Sequence, residues 1–268
     1  MFSGFNLKLN RDYDEFYSIG NQMFEDTKIK VENGLKENIN SNNDKIDGSK
    51  VQEDWFPTLD NIDVFISHSH RDKELAVSLA GYLKAKYNIV SFVDSSMWGY
   101  ANDLLKIIDN EYCQHSNGSS YDYDKRNYST SHVHMMLSAA INKMIDKAEC
   151  IIFLNTQNSN LGVNDSINNQ TASPWIYSEI AATRIIRRKE LTNYRPNNMV
   201  KKGIYNEANR SDLNIQYDIP LGHLIEINDQ TLKKWDKLWK ENNNNWEYPL
   251  DALYKITINN FSIDLSIY

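Results

Sequence analysis

An indole and a carboxylate stand four residues apart in Trp175-Ile176-Tyr177-Ser178-Glu179. On a helix that spacing puts both on one face, one turn apart. A carboxylate so placed can stabilise developing positive charge, and an indole beside it offers a broad flat face. Simpler roles stay open on the residues alone. Glu179 near a helix N-terminus complements the macrodipole for up to ~1 kcal/mol, and Trp175 can anchor its helix to a sheet. A second segment, Asp63-Val64-Phe65-Ile66-Ser67-His68-Ser69-His70-Arg71-Asp72, reads as a short buried strand ending in a polar turn that opens a helix. Ser67 and His68 then sit at a strand end, as does Asp94 after Ser91-Phe92-Val93. Open parallel sheets bind ligands at the carboxyl ends of their strands, so these three are candidate pocket residues. For His68 a loop histidine bonding backbone groups is the competing role.

Other chemistries are disfavoured. His68 and His70, then Cys113, His115, His132 and His134, invite a metal site, but each His-x-His pair points its rings to opposite sides of an extended chain, and no CxxC or HExxH pattern supports them. No metal is expected. No GxGxxG follows the first strand, as a dinucleotide fold of the Rossmann type would require. A phospho-receiver would carry an acidic pair where Ser67 and His68 stand. The net charge of −7 argues against a general nucleic-acid surface. Arg184, Arg187, Arg188 and Lys189 suit a helix C-terminus instead. Only two cysteines occur, Cys113 and Cys150, which fits a reducing compartment better than a disulfide framework. No apolar run is long enough to span a membrane and the N-terminus lacks a signal-like segment, so a cytoplasmic protein is expected.

The elements that position these residues alternate between helix and strand. Phe16, Ile19, Met23, Phe24, Val31 and Leu35 predict a helix from Asp12 to about Ile39, with Asp12 and Glu15 as its capping pair. Asn40 to Gln52 reads as a loop. Strands are predicted at Ile62 to Ser67, Ile89 to Val93, Cys150 to Leu154 and within Ile219 to Ile227. Between them, Asp72 is placed to cap a helix carrying Leu75, Leu79 and Leu83. Further helices are predicted around Tyr100 to Tyr112, over His132 to Lys147, from Pro174 as first residue, and near Gln230 to Glu241 and Leu250 to Ile256. Gln114 to Ser131, rich in tyrosine and nearly free of aliphatic residues, reads as a long surface loop. The expected fold is α/β, an open parallel sheet with helices on both faces, plus an N-terminal helix and a C-terminal helical extension. Its divisions are 1–60, 61–228 and 229–268.

Four segments, in order, resemble the TIR (Toll/interleukin-1 receptor) domain and its NAD-cleaving members. They are Asp63 to Asp72, Ser91-Phe92-Val93-Asp94, Cys150-Ile151-Ile152-Phe153-Leu154-Asn155-Thr156, and Ser173-Pro174-Trp175-Ile176-Tyr177-Ser178-Glu179-Ile180. The likeness covers roughly Asn61 to Ile227 and implies a flavodoxin-like sheet. It places Glu179 on the family's catalytic glutamate and Trp175 in the same motif. Ser67, His68 and Asp94 would line the pocket. Residues 97–131 form an insertion where the family has its BB loop, and Trp98 and Tyr100 there would cover the site or anchor one subunit on the next.

The implied reaction cleaves the bond between nicotinamide and ribose in NAD+, which is substrate; no cofactor is implied. The leaving group is already cationic and departs neutral, so no general acid is needed. The oxocarbenium-like transition state wants a carboxylate close to the ribose. Free-standing bacterial enzymes of this type resemble components of Thoeris-type antiphage defence, in which an ADP-ribose product, linear or cyclised, activates a separate effector or NAD is simply depleted. Self-association is part of the same expectation. The alternative is a non-catalytic TIR module that scaffolds assemblies.

Overall fold

The computed structural model describes residues 1–35, 47–116, 118, 120–160, 169–194, 217–241 and 247–258, with the backbone alone for 27–35 and 96–98. Strand β1 (Ser3–Lys8) is followed by helices α1 (Tyr17–Leu35) and α2 (Gly48–Trp55). Next come β2 (Val64–Ser67), α3 (Lys73–Tyr87), β3 (Ser91–Val93), α4 (Ser95–Ile108), α5 (Tyr123–Lys147) and β4 (Cys150–Leu154). The short β5 (Gln170–Thr171), α6 (Pro174–Ile185), β6 (Tyr217–Asp218), β7 (Ile225–Asn228), α7 (Asp229–Glu241) and α8 (Pro249–Thr257) complete the described elements.

Five strands make one parallel sheet in the order β3-β2-β4-β1-β7, while β5 and β6 pair separately and antiparallel. This is an open flavodoxin-like α/β sheet, as expected. Alternate side chains leave it on opposite faces. Val64, Ile66, Ile152 and Leu154 pack with residues of α1, α3, α7 and α8. Phe65, Phe92 and Ile151 pack with residues of α2, α4 and α5, and Phe153 meets Ile176 and Ile180 of α6. Coverage on both faces explains why β2 and β4 read as unbroken apolar runs. No helix among the described residues is long and apolar enough to cross a membrane.

Several expectations are corrected. Residues before 61 are not only helix and linker: β1 lies inside the sheet, with Phe5 opposite Ile152 of β4 and Ile225 of β7. Its clue was the alternation of Phe5 and Leu7 with small or polar neighbours. The polar stretch after residue 46 forms α2, started by the Asp47 carboxylate accepting from the Ser49 and Lys50 N–H groups. The expected insertion is mostly helical, because α4 begins directly after β3 and ends in a π-helical turn, Asp109–Cys113. The tyrosine-rich loop is shorter than expected, since Asp122 caps α5 through the Lys125 N–H at 2.9 Å. Asp12 and Glu15 form no capping pair, because Tyr13 precedes the first turn without a side-chain cap. The last core strand, expected within Ile219 to Ile227, is confined to Ile225–Asn228.

Helices α1 and α3 cross at two glycines. A Cβ on Gly81 would stand 2.1 Å from the Phe16 carbonyl oxygen, and one on Gly20 would stand 1.9 Å from that of Val77. Either methyl must push the helices apart. Gly81→Ala is therefore expected to lower stability by about 1–3 kcal/mol or more, as overpacking does, read as a lower urea midpoint. An unchanged midpoint would mean that α1 is not seated on α3 in this way.

Candidate active site

The sheet brings four of the sequence candidates together at its carboxyl edge. Ser67 ends β2, His68 follows it, Asp94 follows β3, and Glu179 lies in the second turn of α6. Strands β2 and β3 are neighbours, so their ends present Ser67, His68 and Asp94 side by side. Helix α6 starts as expected: Pro174 is its first residue and the Ser173 hydroxyl accepts from the Ile176 N–H at 3.3 Å. All four side chains are wholly shielded from solvent, at 0% exposure.

Shielded polar groups must satisfy one another. The Ser67 hydroxyl donates to Glu179 Oε2 at 2.6 Å. The carboxyl groups of Glu179 and Asp94 influence each other electrostatically, but Glu179 Oε1 and both Asp94 oxygens make no hydrogen bond among the described residues. His68 Nδ1 lies 2.6 Å from Asp94 Oδ1, at hydrogen-bond distance but without hydrogen-bond alignment. Ser67, Glu179, Asp94 and His68 thus form one buried polar cluster.

Burial decides where the protons sit, because a buried charge without a counter-ion is costly. It pushes Asp94 up to about 8, against the opposing influence of Glu179 and of the Ser95 and His68 backbone. It raises Glu179 well above the ordinary carboxylate range; neighbouring Asp94 raises it further, while the Ser67 hydroxyl opposes. Both carboxyl groups therefore hold their protons near neutral pH in this closed arrangement. Burial also lowers His68 to about 4, against the attraction of Glu179, so its ring is neutral near pH 7. A neutral imidazole makes the 2.6 Å contact with Asp94 a polar contact and not an ion pair.

Trp175 precedes Glu179 by one turn, but its ring also packs on α5, edge to His134 with centroids 5.7 Å apart. It is half-buried and lies against the core cluster of that face. Trp98 falls in α4, and its side chain lies outside the described residues. Tyr100 is 6% exposed and belongs to the core, so it is no surface anchor. The exposed aromatics of this region are Tyr112, Tyr121, Tyr123 and Tyr128.

Asp72 does not cap α3. Its carboxylate instead accepts from the Thr156 hydroxyl and from the Asn158 amide at 2.6 Å. This ties the turn after β4 to the turn after β2, a support the sequence reading missed. Its signal was the Thr and Ser pair in Thr156-Gln157-Asn158-Ser159, residues that favour side-chain-stabilised turns. Among the described residues no group of three or more His, Cys, Asp or Glu is arranged to hold a metal ion. No protein-family model, curated protein or solved structure matches this chain, so the functional argument stands on its own residues.

The raised carboxyl groups have a measurable consequence. Between the unfolded value of 3.8 and about 8, folded Asp94 keeps a proton that the unfolded chain releases, so its contribution to stability falls as pH rises. Asp94→Asn removes that contribution. Relative to the native sequence, the variant is expected to gain stability as pH rises from about 5 to about 8, by at most ~1.4 kcal/mol per pH unit. Parallel curves of urea midpoint against pH for the two proteins would contradict the buried, protonated Asp94.

Proposed function

We propose that the chain is a TIR-type enzyme that cleaves NAD+ into nicotinamide and an ADP-ribose product, with Glu179 as its catalytic residue. One observation carries the reading: a carboxyl group at the carboxyl edge of a parallel sheet, in the second turn of a helix, wholly buried and accepting a hydrogen bond from Ser67. Support also comes from the order of the four TIR-like segments. Cytoplasmic location, a role in antiphage defence, self-association and a downstream effector belong to the same proposal and rest on the resemblance.

The chemistry follows from the proton inventory. Glu179 must be ionised to stabilise an oxocarbenium-like ribose. The nicotinamide ring of NAD+ carries a positive charge, which favours an ionised carboxylate nearby. As that ring enters and the site opens, Glu179 gives up its proton to water and becomes anionic, while Asp94 keeps its own. The bond between nicotinamide nitrogen and ribose carbon then breaks, its electron pair leaving with nicotinamide. Water, or a group of the same product for cyclisation, adds to the ribose carbon and gives up a proton. Zero exposure of Glu179 makes the described arrangement a closed, resting form that must open to admit substrate.

The same closure favours a second reading, a non-catalytic module that keeps these residues as polar core. Nicotinamide release from NAD+ by the purified chain, at high protein concentration, separates the two. Under the enzyme reading, Glu179→Gln keeps the fold, because glutamine imitates the protonated acid, and loses about 100-fold or more in turnover. Equal turnover by folded Glu179→Gln would refute the assignment. Trp175→Ala is expected to raise KM or shift the product ratio in an enzyme that still folds. A lower melting temperature with unchanged kinetics would leave Trp175 as a packing residue on α5.

A further inference from the structure

At the opposite, amino-terminal edge of the sheet lies a cavity of about 270 Å³. The residues lining it include the aromatic Tyr87, Trp239 and Tyr248 and the acidic Asp63, Glu149 and Glu247, with no lysine or arginine among the described lining residues. Asp63 precedes β2, Glu149 precedes β4, Tyr87 ends α3, and the others come from α7 and the approach to α8.

These groups are built into the fold. Tyr87 stacks on Trp235 with centroids 3.9 Å apart and meets Trp239 edge-on at 6.4 Å. The Val90 N–H donates to Asp63 at 2.8 Å, and the Tyr254 hydroxyl donates to Glu149 at 3.0 Å. The turn that delivers Tyr87 is also fixed: Asn88 ends α3 in the left-handed region, φ 55°, and its N–H bonds back to Leu83 and Lys84. Glu149 is only 5% exposed, so a guest would meet its carboxyl group in a poorly solvated setting.

Carboxylates with aromatic walls attract cations and repel phosphates and carboxylates. Bare metal ions are a poor match, since no metal-binding group of side chains occurs among the described residues. An alkyl-substituted ammonium suits both kinds of wall, its charge facing the carboxylates and its weakly hydrated alkyl groups the rings. The volume lies just under the range of roughly 300–1,000 Å³ usual for ligand pockets, which limits the guest to a small one. We propose that this cavity binds a small alkylammonium ion. The proposal is independent of the NAD reading, because it uses none of the residues around Glu179.

The test uses the full chain, with choline and butylammonium chlorides as probes, sodium chloride at matched concentration as the ionic-strength control, and dimethylbutanol as the uncharged isostere of choline. Saturable binding of at least one cation is expected, by tryptophan fluorescence and calorimetry, with dimethylbutanol much weaker. Trp239→Leu and Glu247→Gln should each weaken it by about fivefold or more, in line with one lost cation–π or charge contact. Glu247 is exposed, so its variant should fold even if Trp239→Leu does not. Glu179→Gln should bind as the native chain does. Absence of saturation with both cations, equal binding of the isostere, or undiminished binding by folded Glu247→Gln would each overturn the proposal.

Discussion

The shared burial of the Asp94 and Glu179 carboxyl groups is the constraint on which the rest of the site depends. Two carboxylates cannot lie together, fully buried, unless at least one keeps its proton. The Ser67 hydroxyl donates to Glu179, and the same burial keeps the His68 ring neutral beside Asp94. It also ties three elements to one point, since the groups come from the end of β2, the end of β3 and the second turn of α6. Moving any of these elements away exposes or orphans a polar group. The fold therefore holds the site together partly through the cost of taking it apart.

The same burial joins architecture to reactivity. A carboxyl group that stores a proton in the resting state becomes a strong electrostatic partner once a cation displaces that proton. Under the proposed reading, the positive charge of NAD+ favours the ionised form of Glu179 and so works against this closed arrangement. The parallel sheet serves this arrangement by placing the strand ends together at one edge, as open α/β sheets do. Its other edge, lined by Asp63, Glu149 and aromatic rings, carries a separate acidic cavity. Strand β2 runs between the two, from Asp63 just before it to Ser67 at its end.

How much of this was legible in the sequence depended on range. Cys150 to Leu154 coincides with β4 because five apolar residues in a row, buried on both faces, leave few other readings. Ser67, His68, Asp94 and Glu179 could be picked out because each stands at a strand end or a helix start. Their mutual contacts could not, since a carboxyl pair drawn from two distant segments has no local signature. Strand β1 escaped for the same reason: Ser3, Gly4 and Asn6 are poor strand formers, and its place rests on pairing with β4 and β7. Helix α2 was hidden by polar residues, although Val51 and Trp55, four apart and buried, were its amphipathic trace. Tyr100 looked like a surface anchor because an aromatic residue in a polar stretch does not reveal which face its helix buries.

The protonation state of Glu179 in the resting protein tests the central claim most directly. Carbon-13 NMR of side-chain carboxyl groups, with the Glu179 signal assigned by its loss in Glu179→Gln, reads that state as a function of pH. The account predicts a Glu179 carboxyl that remains protonated through neutral pH in the free protein and shifts toward the ionised position when NAD+ is added. A Glu179 signal that titrates in the ordinary glutamate range, near 4.5, and ignores NAD+ would contradict both the buried carboxyl pair and the role assigned to it.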